Sequence, residues 1–192
     1  MSRETDMTIE YYNQHADEYV ESTLHADMSD ARNKFLSYIP KGGTILDFGC
    51  GSGRDSKAFL DAGYKVVALD GSKELCKRAE ELIGQPVLCF MFQDFKAETQ
   101  FDGIWACASL LHLKKDELES IIDQLAKSLK PDGVLYMSFK YGEFSGERDG
   151  RWFTDMNEKP DTPCGLSIQE TWISQDVRGQ VDTEWLNITL KK

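Results

Sequence analysis

Five short apolar runs, rich in β-branched and aromatic side chains, recur at residues 44–48, 65–69, 87–92, 103–108 and 134–140. The earlier ones are nearly continuous in apolar residues rather than alternating, which is the pattern of parallel strands covered on both faces. Segments with apolar residues three or four apart lie between them. Residues 115–133 place Leu118, Ile121, Ile122, Leu125 and Leu129 on one helical stripe and finish at Pro131 and Gly133. Residues 54–63 carry Ala58, Phe59 and Ala62 ahead of Gly63, and residues 72–84 open on Ser72 and stop at Gly84. Strands alternating with helices predict β-α-β units, hence a parallel sheet with helices on both sides.

The two ends depart from this rhythm. Residues 9–23 and 30–39 read as two helices ahead of the first strand. Residues 170–190 read as two strands around a turn near Arg178-Gly179-Gln180, an antiparallel hairpin that closes the sheet. Residues 141–165 are rich in glycine and proline without a clear period, so they are expected to form a loop or lid.

Bulk numbers narrow the field. A chain of 192 residues fits one domain, with 1–40 as helices over a core of 41–192. No apolar run approaches the ~18 residues of a membrane span. The first ten residues lack the apolar centre of a signal peptide, so the cytoplasm is the expected compartment. A net charge of −11 disfavours non-specific affinity for nucleic acid. Five cysteines without a Cys-x-x-Cys pair suggest neither a disulfide framework nor a zinc site. His15, His25 and His112 form no ligand-spaced cluster, so no metal is expected.

Chemistry concentrates behind the first strand, in Ile45-Leu-Asp-Phe-Gly-Cys-Gly-Ser-Gly-Arg-Asp55. Gly49, Gly51 and Gly53 let the backbone bend sharply and turn its N–H groups toward a ligand at the carboxyl end of the sheet. Their G-x-G-x-G spacing differs from the dinucleotide G-x-G-x-x-G. Asp47, two residues ahead of Gly49, repels a pyrophosphate and favours an ammonium group. Asp70 ends the second strand, where a carboxylate can accept ribose hydroxyls. Asp94 follows the third and could receive an adenine amino group. Aspartate is common at strand ends; three at successive ends form a sharper pattern.

The stretch from Ile45 to Ser72 resembles the first motif and following acidic motif of the class I S-adenosylmethionine-dependent methyltransferases. Residues 101–113 and 129–140 are similar to the later core motifs, and the resemblance covers roughly residues 9–190. The nearest likeness is to small stand-alone bacterial enzymes, including the tellurite-resistance type. The resemblance implies an α/β fold, a three-layer Rossmann-like seven-stranded sheet in the order 3-2-1-4-5-7-6 with strand 7 antiparallel. It implies S-adenosylmethionine as cofactor and S-adenosylhomocysteine as product. Asp47, Phe48, Gly49, Gly51 and Gly53 would surround the methionine part and Asp70 the ribose. Gly71 and Ser72 would line the adenine edge, Asp94 and Phe95 would hold adenine, and Ala108 and Ser109 would lie near the sulfonium.

Candidate catalytic residues follow the strand ends. His112 lies just past the fourth strand, where it serves a substrate or simply a structural hydrogen bond. Tyr11 and Tyr12 offer an aromatic face to a sulfonium, or plain packing of the first helix. Lys140, Tyr141, Arg148 and Arg151 suit an anion pocket, although interleaved Glu143, Glu147 and Asp149 equally suit a salt-bridged surface loop.

Rival activities fit less well. Tyr136 and Lys140 have the reductase-like Tyr-x-x-x-Lys spacing, but a strand separates them by about 13 Å. Residues 107–110 lack the Asn/Asp-Pro-Pro stretch of amino-methylating nucleic-acid enzymes, and the Pro163-Cys164 pair lies too late for carbon-5 chemistry. With only about 40 residues outside the core, a small-molecule acceptor is expected before RNA or protein, in a monomer or homodimer. A protein that binds the cofactor without turnover is the alternative of a different class.

Overall fold

In the computed structural model, which describes residues 3–96, 100–157, 165–179 and 182–192, the apolar runs all become strands. They are β1 (Thr44–Phe48), β2 (Lys65–Asp70), β3 (Val87–Cys89), β4 (Phe101–Ala106) and β5 (Leu129–Lys140). After them come a small hairpin, β6 (Ser145–Arg148) with β7 (Arg151–Thr154), and then β8 (Ser167–Gln175) and β9 (Glu184–Lys191). Seven strands form one sheet in the order β3-β2-β1-β4-β5-β9-β8. In this sheet β9 runs opposite to the other six strands, antiparallel to both β5 and β8. With the hairpin set aside, this is the expected 3-2-1-4-5-7-6 order.

Both sheet faces are buried, which explains why the strands do not alternate. Ile45, Trp105 and Tyr136 face one way, against Phe35 and Phe59; Leu46, Ile104 and Met137 face the other, against Leu118, Ile122 and Leu125. The helices are α4 (Arg54–Asp61), α5 (Lys73–Ile83) and α6 (Lys115–Ser128), preceded by three at the amino end. Ser72 Oγ accepts the Leu75 N–H at the start of α5, and Gly84 closes it in a left-handed conformation.

Four expectations need correction. The amino end holds three helices rather than two: α1 (Arg3–Gln14), α2 (Ala16–Thr23) and α3 (Ser29–Leu36). The first break falls at His15, whose φ of −113° is not helical; this histidine is half-buried and stacked on Tyr11. Strand β3 is three residues long, because Leu88 and Cys89 sit exposed at a sheet edge while Phe92–Asp94 turn into one 3-10 turn. Strand β5 begins directly after α6, through a register shift opposite Phe101 and Gly103. Part of the expected loop at 141–165 is the β6–β7 hairpin, turned by Asp149 (φ 52°) and Gly150 (φ 74°). Two left-handed central residues are what a two-residue hairpin turn requires. Residues 158–164 of that segment, with Pro163 and Cys164, and the expected turn residue Gln180 lie outside the described residues.

Candidate active site

The glycine loop after β1 is held from behind. Gly49 N–H and Cys50 N–H both donate to the Leu69 carbonyl (2.8 and 2.9 Å), and Gly51 N–H donates to Asp70 Oδ2 (2.8 Å). Gly49 and Gly51 have φ of 87° and 54°, values that side chains other than glycine rarely adopt. Space enforces the same choice. A Cβ on Gly49 would lie 2.4 Å from Ser109 Cβ, and one on Gly51 would lie 3.0 Å from the Tyr19 ring.

Asp70 is the organiser. Besides Gly51, it accepts the Ser72 N–H at Oδ1 (2.9 Å). Burial pushes its pKa up, and the N–H groups of Ser72, Gly51 and Gly71 oppose that rise. An ionised carboxylate offers about four lone-pair sites, so capacity remains for two further donors. Asp70 and Gly71 open onto a narrow cavity of ≈ 70 Å³, with Gly49 and Gly51 along its floor. Thr5, Thr8 and Ile9 of α1 roof it.

Of the expected cofactor residues, Gly49, Gly51, Asp70, Gly71, Ala108 and Ser109 line this cavity. Six others do not. Asp47 is buried beneath the loop, where Oδ2 accepts the Ser56 hydroxyl (2.6 Å). Burial and the neighbouring Asp55 raise its pKa to about 7. Phe48 and Phe95 are core residues packed edge to face, and Gly53 caps α4 against Ala79 of α5. Ser72 is spent on capping α5 and on Asn13 Oδ1 (2.8 Å). Asp94 points into solvent from the 3-10 turn. Met91, Phe92 and Gln93 line the cavity where Asp94 was expected. The 3-10 turn sends Phe92 inward to stack on Phe48 (4.2 Å between centroids), which no single residue announces.

A second, larger cavity of ≈ 500 Å³ adjoins the first. Tyr12, Tyr19, Ala108 and His112 line both and so form the wall between them. Ala108 takes φ 51° there, its N–H held by Ser138 Oγ (2.8 Å). His112 is fixed at both nitrogens. Nδ1 lies 2.7 Å from the Trp152 carbonyl, which can only accept, so Nδ1 carries the proton. Nε2 then accepts the Tyr12 hydroxyl at 2.8 Å. Burial, with Arg151 and Lys140 nearby, lowers the His112 pKa to about 4.

The lining of the large cavity is rich in cations, with Arg54, Lys140, Arg148, Arg151 and Arg178. Arg54 pairs with Asp55 (2.7 Å), Arg178 with Asp176 (2.6 Å) and Arg148 with Asp155 (3.2 Å). Tyr11, expected at the site, lies outside both cavities; the Arg151 guanidinium sits 4.2 Å from its ring. Tyr141 is exposed, away from both cavities. Tyr19, Arg54 and Arg178 were not singled out from the sequence; only the fold brings them to the wall and the rim. Among the described residues no three metal-binding side chains cluster, and no helix is long and apolar enough to cross a membrane.

Residues 46–135, which span β1 to most of β5, match the family described as "Methyltransferase domain". A Bacillus subtilis protein, YqeM, which carries a methyltransferase name with no acceptor, is 32% identical over 144 residues, 69% of this chain and 58% of its own. The chain spans about half the length of the curated relatives it matches. Among solved structures, the 1,6-didemethyltoxoflavin-N1-methyltransferase of Burkholderia thailandensis, with 1,6-didemethyltoxoflavin and S-adenosylhomocysteine bound, gives a TM-score of 0.78. The two are 19% identical, with 100% of this chain and 91% of that one covered. The [4+2]-cyclase SpnF gives 0.72 at 14% identity, covering 95% and 94%. Such distant likenesses speak for the fold, which hosts more than one reaction. None of these names carries the tellurite-resistance subtype. The methyltransferase-domain match across the strands that build the glycine loop, the YqeM identity and the sheet order agree with one another, and together they support a class I S-adenosylmethionine-dependent methyltransferase.

Proposed function

We propose that the chain transfers a methyl group from S-adenosylmethionine to a small-molecule acceptor, releasing S-adenosylhomocysteine, in the bacterial cytoplasm. The observation that carries this reading is the meeting of two cavities at one wall, at the carboxyl ends of β1, β2 and β4. The cofactor's methyl group sits on a positively charged sulfur, so most of the reactivity is its own. The chain's residues must hold the two molecules in line and exclude water.

The residues present suit the cofactor. Gly49 and Gly51, in left-handed conformations, bend the chain so that it lines the cavity, and Asp70 keeps lone pairs for two hydroxyls. The Tyr12 and Tyr19 rings at the wall suit a cationic sulfur. Asp47, about half ionised near neutral pH, adds part of a negative charge from beneath the loop toward an ammonium group. Phe92, with Met91 and Gln93, replaces Asp94 as the wall for adenine. His112, held neutral with its Nε2 lone pair on the Tyr12 hydroxyl, orients Tyr12. A low pKa makes it a weak store for a proton, so an acceptor that reacts without its proton suits the site best.

A cavity of ≈ 500 Å³ falls within the range of small-ligand sites, which supports a metabolite over RNA or protein. The same fold is found in a [4+2]-cyclase, so the fold by itself does not require methyl transfer, and cofactor binding without transfer is the second reading. One experiment decides among them. The protein is incubated with methyl-labelled S-adenosylmethionine and with separated metabolite, protein and RNA pools. Label in the metabolite pool is expected. Label confined to RNA or protein overturns the acceptor class, and binding with no labelled pool favours the second reading.

A further inference from the structure

We propose that the large cavity holds its acceptor by an oxyanion, a carboxylate or phosphate group, seated over Phe153 between Lys140, Arg148 and Arg151. This rests on the methyltransferase reading for the word acceptor, but the anion site stands on its own geometry. Lys140 Nζ lies 4.4 Å from the Phe153 ring centroid, and the guanidinium carbons of Arg151 and Arg148 lie at 5.2 and 5.3 Å. Three cations around one ring that is 3% exposed repel each other strongly. Among the described residues, Lys140 and Arg151 make no ion pair; only Arg148 has a carboxylate, Asp155. The carboxylates that line the cavity are Asp176, already held by Arg178, and Asp149, exposed on the hairpin turn. Arg151 Nε is buried with no hydrogen-bond partner. Arg151 thus lines the cavity with hydrogen-bonding capacity that no protein group takes up, and an oxyanion beside its guanidinium can use that capacity as the side chain turns toward it. The chain's net charge of −11 makes this concentration of positive charge all the less a matter of composition.

The held oxyanion is an anchor rather than the methylated atom. Cations drawn close to an oxygen withdraw the electron density that attack on a methyl carbon needs. Phe153, Tyr12 and Trp185 add apolar walls, so a planar acid is the chemistry that fits.

Benzoate, phenyl phosphate and the neutral isostere benzamide serve as probes, titrated into the native chain with and without S-adenosylhomocysteine. At least one anion is expected to bind ten times more tightly than benzamide, and the tighter of the two names the natural group. Lys140→Gln and Arg151→Gln are each expected to weaken the anion fivefold or more, while S-adenosylhomocysteine affinity stays within threefold. Arg151→Lys, which keeps the charge, is expected to recover part of the loss. Equal affinity for benzamide and both anions overturns the proposal, as does anion affinity unchanged in both glutamine variants. Failure of S-adenosylhomocysteine to bind the native chain instead overturns the methyltransferase reading, and the cofactor-free titrations still decide the anion site.

Discussion

Asp70 is the residue whose removal tests the cofactor cleft most directly, because one side chain serves both the loop and the cavity. Its two oxygens accept the Gly51 and Ser72 N–H groups at 2.8 and 2.9 Å. In Asp70→Ala both buried donors lose their partner, and each unsatisfied donor costs about 1–3 kcal/mol. The loop is therefore destabilised by about 2–6 kcal/mol, a large part of the ~5–15 kcal/mol that holds a typical domain. Asp70→Asn is the better probe. Its single oxygen keeps one of the two bonds and its amide group faces the other donor, so the expected loss is about half. The lone pairs that remain on Asp70 are those a ribose would use, each worth about 0.5–1.5 kcal/mol net. S-adenosylhomocysteine should therefore bind Asp70→Asn about ten to a hundred times more weakly, by calorimetry at a temperature where denaturant curves show the variant folded. A dissociation constant within twofold of native, with the expected loss of stability, would show that Asp70 braces the loop and touches no ligand.

Further outcomes follow from the same geometry. His112→Ala frees the Tyr12 hydroxyl and should lower transfer to the labelled acceptor by on the order of 100-fold through misplacement, with cofactor affinity nearly intact; unaltered turnover would leave His112 a purely structural tie between α1 and the hairpin. Thr5, Thr8 and Ile9 of α1 line a cleft narrower than a nucleoside, so α1 is expected to shift when one binds; hydrogen exchange at α1 should slow when S-adenosylhomocysteine is added, and identical exchange refutes that role for α1. Asp47 and His112 impose opposite pH slopes. His112 is depressed from 6.5 to about 4, so its share of stability is present above 6.5 and is lost as pH falls toward 4, at most about 3 kcal/mol. Asp47 is raised from 3.8 to about 7, so its share is present below 3.8 and is lost as pH rises through 7, at most about 4 kcal/mol. The two nearly cancel between pH 4 and 6.5, and Asp47→Asn should unmask the His112 slope. Denaturant curves for native and variant protein that run parallel across this range would refute the assignment of Asp47.

What could be read in advance divides along a physical line. The sheet was legible because each strand's apolar run is dictated by burial on both faces, and residues such as Trp105 and Tyr136, stacked at 4.0 Å, tolerate no other environment. The glycine loop was legible because left-handed backbone and a close approach leave few residue choices. The hairpin of β6 and β7 was missed although Asp149-Gly150 announces its turn, because four-residue strands give too short a pattern for periodicity to register. The side chains that line the cavities were harder still. Asp47 and Asp94 have the right residue type at the right strand ends, yet one lies under the loop on Ser56 and the other faces solvent. Residue type and strand-end position follow from local sequence, whereas the direction a side chain takes depends on what the next element brings against it. Tyr12 and Tyr11 make the same point, since adjacent helix positions turn about 100° apart. One ring completes the wall between the cavities; the other supports Arg151 from behind. The wall between the two cavities is thus built in part by the amino-terminal helices, the segment farthest in sequence from β5 and β9. Tyr12 reaches His112, which in turn reaches the Trp152 carbonyl in the hairpin, so three distant segments settle that wall together.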